Sequence, residues 1–367
     1  SVFLWANASF AAETYPVAAA EYEGRSATDI AKGYAGKQQF AQALVWYRKA
    51  AAEGDLKALF IVGIAQIKGV GGDKDPASGL RKIHTAAQKG LDLAQFSIGY
   101  LYQKGQLGSV DYDKARSWYE KAAAQELAVA EVALGSLYAK GLGVSQDLAA
   151  AESWYRKAYA QGHLMGGYNL AILMFKAANS KEGYLRAIQI FTRTAEQGHA
   201  PSQLALSKIY IMGKPPEIDR SGEKAVYWLQ KSAGQGSVQA QLQLGTIYLK
   251  GGLLPVNGEL AFYWLNKAAY QGSLQAQLGL ASAYIQGDVF TKDLVEAYTW
   301  LTVAAASGRT KVITFQQRLE KILRPEQINR STALARKILA DIAGHSDKRK
   351  GRNLEQPFDD SVDGLSI

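Results

Sequence analysis

Few residues in this 367-residue chain could carry out catalysis or hold a metal ion. The absence of cysteine excludes thiolate nucleophiles and thiolate metal ligands, and there are only four histidines. His163 and His199 each follow a glycine at a turn, and no two histidines share a helix face at the spacing of metal ligands. The chain also lacks a nucleophile elbow, a phosphate-binding loop and a dinucleotide fingerprint. We therefore predict no enzymatic activity, no cofactor and no metal site.

Lysines and aromatic residues recur regularly along the chain and point to binding instead of catalysis. Lysines recur every 36 residues beside columns of apolar and aromatic side chains. An apolar groove with a basic rim suits a partner segment that combines apolar and acidic groups. The predicted groove consists of Phe60, Lys68, Phe96, Tyr100, Lys104, Lys140, Tyr168 and Lys176. The alternative is that these lysines are solvated helix ends, where a positive charge complements the helix dipole.

The same period organises the elements that must position these side chains. The segment beginning at Trp154 has counterparts from Trp46 to Trp300 at 36-residue intervals, except for one of 38 residues near Pro215 and Pro216. Six of the seven tryptophans occupy this position, and we interpret them as packing anchors, not as a ligand cage. The period predicts an all-α fold: an α/α solenoid superhelix of about eight helix-turn-helix repeats with a C-terminal helical cap.

Polar residues mark where the second helix of a repeat begins. An aspartate lies seven residues before the anchor in four repeats and is a predicted N-cap. These aspartates are Asp75, Asp111, Asp147 and Asp293. Glu296 lies three residues after Asp293, which predicts a capping box at that helix start.

The motif is seen best from Ala130 to Ala158, where Ala-x-x-x-Leu-Gly-x-x-Tyr-x-x-Gly-x-Gly-Val is followed by Ala-x-x-Trp-Tyr-x-Lys-Ala. It resembles the Sel1-like repeat (SLR) family, a relative of the tetratricopeptide repeat, and the resemblance covers about residues 30–308. It implies an adaptor in protein assemblies. Exported bacterial members, including LpnE-type virulence factors, engage host proteins during entry or vesicle trafficking.

The two ends of the chain differ from the repeats. A short apolar run followed by small residues resembles a signal-peptide remnant, although it also fits the start of a first helix. The predicted domain order is a signal-peptide remnant at 1–11, the solenoid at 12–308, capping helices at 309–343 and a polar, disordered tail at 344–367.

The capping segment is strongly basic, with eight basic and three acidic side chains between residues 309 and 343. A terminal repeat needs a cap with a polar outer face, which explains most of this charge. A second hypothesis is that the face binds a phosphoinositide-bearing membrane or an acidic protein. Its residues are Arg318, Lys321, Arg324, Arg330, Arg336 and Lys337. Nucleic acid is not an expected partner, because no recognition module accompanies the charge.

These observations predict a non-enzymatic scaffold for protein–protein interaction. We expect a soluble protein exported from a bacterium, secreted or periplasmic, with host trafficking proteins as partners. No apolar run reaches 18 residues, so no transmembrane segment is predicted. The alternative is a scaffold for periplasmic or envelope assembly that has no host partner.

Overall fold

The computed structural model describes residues 25–213 and 218–353. Side chains are described up to residue 344. The chain divides into two compact units, one up to Leu173 and the other from Met174. The first unit contains α1 (Ala27–Gly36), α2 (Phe40–Ala52), α3 (Leu56–Lys68), α4 (Pro76–Gln88), α5 (Asp92–Gln103), α6 (Tyr112–Ala123), α7 (Ala128–Lys140), α8 (Leu148–Ala160) and most of α9 (Leu164–Ala177).

The second unit begins within α9 and continues the same alternation of helices. It contains α10 (Lys181–Glu196), α11 (Ala200–Met212), α12 (Gly222–Gly234), α13 (Val238–Lys250), α14 (Gly258–Tyr270), α15 (Leu274–Gln286), α16 (Leu294–Ala305), α17 (Thr310–Glu320) and α18 (Pro325–Asn353). Paired along the described chain, α1 to α16 form eight helix-turn-helix repeats, and α17 and α18 follow as the cap. The predicted all-α repeat solenoid is confirmed.

Local hydrogen bonds start the second helices where the sequence predicts. The side chains of Asp75, Asp111, Asp147 and Asp293 each accept a hydrogen bond from an amide of the first helical turn. One half of the capping box predicted at Asp293 is present, because the Glu296 amide donates to the Asp293 carboxylate at 3.0 Å. The reciprocal bond is absent from the described residues, since the Asp293 amide donates to the Tyr284 carbonyl at 3.0 Å. Asp111 makes the equivalent bond to the Tyr102 carbonyl at 3.1 Å.

In the six second helices that contain an anchor tryptophan, the residue that follows the tryptophan is buried. Tyr155 is completely buried, and its hydroxyl lies 3.1 Å from the Ser136 hydroxyl. Burial raises the pKa of Tyr155 to about 12. A methyl group on Gly135 would lie 2.6 Å from the Tyr155 ring, so only glycine permits this approach.

The tryptophans themselves are less buried than the sequence predicts. Of the six tryptophans in the described residues, Trp228 and Trp300 are buried, with exposed fractions of 8% and 3%. The other four are half-buried and have a lysine ammonium over the ring. The distances from lysine Nζ to the ring centroid are 5.1 Å for Lys49–Trp46, 4.3 Å for Lys121–Trp118, 4.4 Å for Lys157–Trp154 and 5.5 Å for Lys267–Trp264.

Buried amides connect neighbouring repeats. Gln95 donates from Nε2 to the Ala87 carbonyl at 3.2 Å, and its Oε1 accepts a 2.9 Å hydrogen bond from Gln125. Gln203 and Gln241 make the same two kinds of bond in the second unit. In the first unit Glu131 takes the position of the first glutamine and accepts a hydrogen bond from Gln161 at 2.9 Å.

The helices α17 and α18 cover the last repeat. Leu319, Ala335 and Ile338 are buried in one apolar cluster with Trp300, and the Ser331 hydroxyl donates to the Val295 carbonyl at 3.1 Å. The last helix continues to Asn353, beyond the predicted limit at residue 343. The predicted signal-peptide remnant lies outside the described residues, and so does the part of the predicted tail from 354 to 367.

Candidate functional site

Two of the aromatic residues predicted to line the groove are core residues. Phe60 is 7% exposed and lies in the apolar cluster that contains Ile83 and Ile98. Phe96 is 9% exposed and packs against the Tyr119 ring, with the centroids 5.4 Å apart. Both rings contribute to packing between helices and have little surface left for a partner.

Tyr100 and Tyr168 are the predicted aromatic residues that keep part of their surface in solvent. Both lie in the first unit and are half-buried. The Lys104 ammonium lies 5.5 Å from the centroid of the Tyr100 ring, and burial raises the pKa of the Tyr168 hydroxyl. An amphipathic ring in this setting can contact apolar groups while its hydroxyl forms hydrogen bonds.

The predicted lysine column lies at the ends of first helices. Lys68 and Lys140 are the last residues of α3 and α7, and each precedes a glycine with left-handed backbone. Both are half-buried, and burial lowers the pKa of Lys68. Lys104 and Lys176 are exposed, and Lys176 belongs to the second unit. The positions fit a basic rim and equally fit charges that complement helix dipoles.

The second helices carry an aromatic surface that the sequence analysis missed. Tyr227 and Tyr263 are 51% and 47% exposed. The Lys231 and Lys267 ammonium groups lie 5.6 Å and 4.4 Å from the centroids of these rings. The signal was present in the sequence as a tyrosine followed four residues later by a lysine, which places both on one helix face.

All six predicted basic residues of the cap are exposed. Arg318 and Lys321 line a depression of 570 Å³ together with Glu320. Apolar side chains accompany them, since Phe315 is 43% exposed and Ile322 is 69% exposed. The surface is therefore basic and apolar, with an acidic residue within it.

Two of the histidines, His163 and His199, make local hydrogen bonds at helix starts. His163 Nδ1 lies 3.3 Å from the Gly166 amide and His199 Nδ1 lies 3.3 Å from the Ser202 amide, each near the start of a first helix. In residues 25–213 and 218–353 no group of three His, Asp or Glu side chains could hold a metal ion. None of the helices in those ranges is both long and apolar enough to cross a membrane.

Comparison with known proteins gives matches over most of the chain. The Sel1 repeat family model matches residues 31–55, 92–127, 128–163, 168–199, 200–237, 238–273 and 274–308. A solved Sel1 repeat protein from Oxalobacter formigenes is 30% identical, with a TM-score of 0.59, and the match covers 66% of this chain and 98% of that one.

Of two other matches, one has a lower TM-score and the other covers a short part of this chain. A protective antigen of uropathogenic Escherichia coli strains that displays an SLR fold is 25% identical, with a TM-score of 0.41 over 93% of this chain and 88% of that one. Chitin synthase regulatory factor 3 of Schizosaccharomyces pombe is 35% identical over 66 residues, which is 18% of this chain. The match spans only 7% of that curated relative.

Proposed function

The chain belongs to the Sel1 repeat family, and on that premise we propose that it is a non-enzymatic scaffold that binds a protein partner. The observation that carries the proposal is the series of seven matched repeats between residues 31 and 308. Each repeat buries one face against its neighbours, and an array of this kind presents an extended outer surface instead of a single enclosed cavity. Such a surface suits recognition of another protein.

The proposed contact residues are Tyr100 and Tyr168, with lysines at the rim. Tyrosine is enriched among the residues that dominate binding energy, because it combines a large apolar ring with a hydroxyl. The predicted rim lysines of the first unit are Lys68, Lys104 and Lys140. Their charge favours a partner segment with acidic groups beside its apolar ones, and rim charges act mainly on the association rate.

The test measures affinity for a partner captured by the full chain from bacterial envelope and host-cell lysates. We expect Tyr100→Ala combined with Tyr168→Ala to weaken binding by about 2 kcal/mol, roughly 30-fold. The matched control is Tyr227→Ala combined with Tyr263→Ala, which removes two exposed tyrosines from second helices. The control pair should bind the partner as the unchanged chain does.

The two double variants distinguish the site from the function. If the control pair weakens binding and the Tyr100–Tyr168 pair does not, the partner binds the second helices and the site is wrong. If no partner gives a reproducible dissociation constant from either lysate, the scaffold function itself fails. Thermal unfolding of both variants shows whether the array is intact.

The proposal extends to export and to a host partner. Its support is the sequence alone: an apolar run with small residues at Ser9 and Ala11 in the N-terminal segment. Cell fractionation with antibody detection checks this extension. Detection of the protein outside the bacterial envelope, or in an infected cell, favours a role in which it binds host trafficking proteins. Retention within the envelope favours an envelope assembly role.

A second candidate function is binding of an acidic membrane surface by the cap. The exposed basic residues and the neighbouring Phe315 and Ile322 support it, because basic charge beside apolar side chains is typical of membrane-surface binding. The test is sedimentation with phosphoinositide-containing vesicles.

We expect Arg318→Glu, Lys321→Glu and Arg324→Glu together to abolish vesicle sedimentation. A matched control places the same charge change on the exposed residues Lys57, Arg81 and Lys89 of the first unit. Binding should also weaken as salt is raised, because exposed charges are screened. The membrane function fails if the unchanged chain does not sediment with these vesicles.

A further inference from the structure

The second unit contains an open pocket of 790 Å³ where the last two repeats meet. It lies between the start of α14, the end of α15 and the start of α16. Its walls combine aromatic rings with carboxylates and include Phe262, Tyr284, Phe290, Asp293, Glu296 and Glu259. This pocket is independent of the tyrosine surface proposed in the first unit.

The aromatic side of the pocket is a connected set of rings. The Phe290 ring lies between the other two, with its centroid 5.9 Å from that of Phe262 and 5.2 Å from that of Tyr284. The Phe262 side chain is 40% exposed, whereas phenylalanine side chains are usually buried. The rings therefore present apolar and π-electron surface to whatever enters the pocket.

Carboxylates line the pocket together with these rings. One oxygen of Asp293 caps α16 by accepting hydrogen bonds from the Val295 and Glu296 amides at 2.8 and 3.0 Å. Glu296 is half-buried, and its carboxylate makes no hydrogen bond or salt bridge with the residues that the structure describes. Burial and the nearby Asp293 raise the pKa of Glu296, and the positive charge of Arg330 acts in the other direction.

Two other repeats carry a lysine at the position of Glu296. Lys114 is the third residue after the cap Asp111, just as Glu296 is the third residue after Asp293. The Lys114 ammonium lies 3.0 Å from the Asp111 carboxylate and 5.3 Å from the centroid of the Tyr102 ring. Lys224 lies 5.2 Å from the Tyr210 ring in the same way.

In these two repeats a lysine three residues after the cap, Asp111 or Ser221, thus lies over the tyrosine of the preceding first helix. In the last repeat the corresponding residues are Tyr284, Asp293 and Glu296. The tyrosine and the aspartate match Tyr102 and Asp111, but a carboxylate stands where these two repeats have an ammonium group.

We propose that this pocket binds a cationic side chain, an arginine or a lysine, of a protein partner. The partner's cation lies over Tyr284 as Lys114 lies over Tyr102, and Asp293 and Glu296 provide its counter-charge. The Phe262 and Phe290 rings contact the aliphatic part of the side chain.

The charges that face the pocket favour a cation over an anion. Three carboxylates line it, from Glu259, Asp293 and Glu296, whereas Lys292 is the basic residue in its lining and is exposed. Arg330 adds positive charge from α18 but is itself exposed. An anionic group in the pocket would lose its hydration and would be repelled by the half-buried Glu296 carboxylate.

The experiment titrates the full chain with N-acetyl-arginine methylamide and follows ligand binding by NMR. The neutral isostere N-acetyl-citrulline methylamide is the matched probe. We expect the arginine probe to bind at least about tenfold more tightly than the citrulline probe. Glu296→Lys should reduce binding of the arginine probe by at least about tenfold, because it supplies the internal cation that Lys114 and Lys224 provide in their repeats. Glu296→Gln should have a smaller effect in the same direction.

The control variant is Glu223→Lys, which makes the same charge change at an exposed position of α12. It should leave probe binding unchanged. Thermal unfolding should show that Glu296→Lys is as stable as the unchanged chain, since two other repeats carry lysine there. Equal binding of the two probes, unchanged binding to the Glu296→Lys variant, or no detectable binding of the arginine probe would each overturn the proposal.

Discussion

Trp154 in the first unit and Trp300 in the second occupy the same repeat position but have different surroundings. Trp154 is half-buried, and the Lys157 ammonium lies 4.4 Å from its ring centroid. Trp300 is 3% exposed, meets the Tyr270 ring edge-on at 5.8 Å and shares a buried cluster with Leu319 and Ile338 of the cap helices. The cap helices therefore cover Trp300, whereas Trp154 keeps part of its surface in solvent.

The residues that follow these tryptophans do not differ in this way. Tyr155 and Leu301 are both completely buried. The position after the tryptophan is therefore buried in both repeats. At the tryptophan position, Trp154 is partly open to solvent, whereas the cap helices cover Trp300. The comparison predicts unequal costs for the same substitution.

Trp300→Ala is expected to have the largest effect, lowering the free energy of unfolding by about 3–5 kcal/mol. The substitution removes a large buried ring and leaves a cavity under the cap helices. Urea unfolding monitored by circular dichroism measures the loss. A loss below about 1 kcal/mol would mean that the cap helices do not cover this ring in solution.

Trp154→Ala is the matched substitution and should cost less, about 1–2 kcal/mol, because part of the Trp154 side chain is already in solvent. The same urea unfolding experiment measures it. Equal losses for the two tryptophans would contradict the comparison, since burial would then not decide their contribution.

The helical architecture could be predicted because its determinants are local. The N-cap bond of Asp111 spans three residues, and the repeated glycines, tyrosines and anchors fix the period. Only the reciprocal bond of the predicted capping box, from the Asp293 amide to the Glu296 carboxylate, does not form, and the reason is a longer-range contact. The Asp293 amide is already bonded to the Tyr284 carbonyl, nine residues earlier on another helix.

The candidate sites were harder to predict because they depend on packing between repeats. Phe60 and Phe96 were assigned to the groove because their column varies in residue type, but the adjoining helices bury them. The pocket in the second unit joins Phe262 and Phe290, which belong to different repeats and occupy positions that carry no recurrent aromatic residue. No period in the sequence brings these two rings together.

The smallest expected effect concerns Glu131, the carboxylate in the row of buried glutamines. Glu131 is 3% exposed, and burial raises its pKa above the ordinary value of 4.5, with Glu126 adding to the rise and Lys157 opposing it. A carboxylate also cannot donate to a backbone carbonyl as Gln95 donates to the Ala87 carbonyl. Glu131→Gln should therefore restore the amide pattern of the other repeats.

The sign of the pH dependence follows from the raised pKa. The folded chain holds the Glu131 proton more tightly than the unfolded chain, so this contribution to stability is fully present below about pH 4.5 and is lost as the pH rises through the folded pKa. We expect Glu131→Gln to match the unchanged chain near pH 4 and to be more stable at pH 7 by about 1 kcal/mol. Urea unfolding at the two pH values measures this difference, with Glu53→Gln as an exposed control that should show none. If the unchanged chain is the more stable one at pH 7, the hydrogen bond from Gln161 compensates the buried charge.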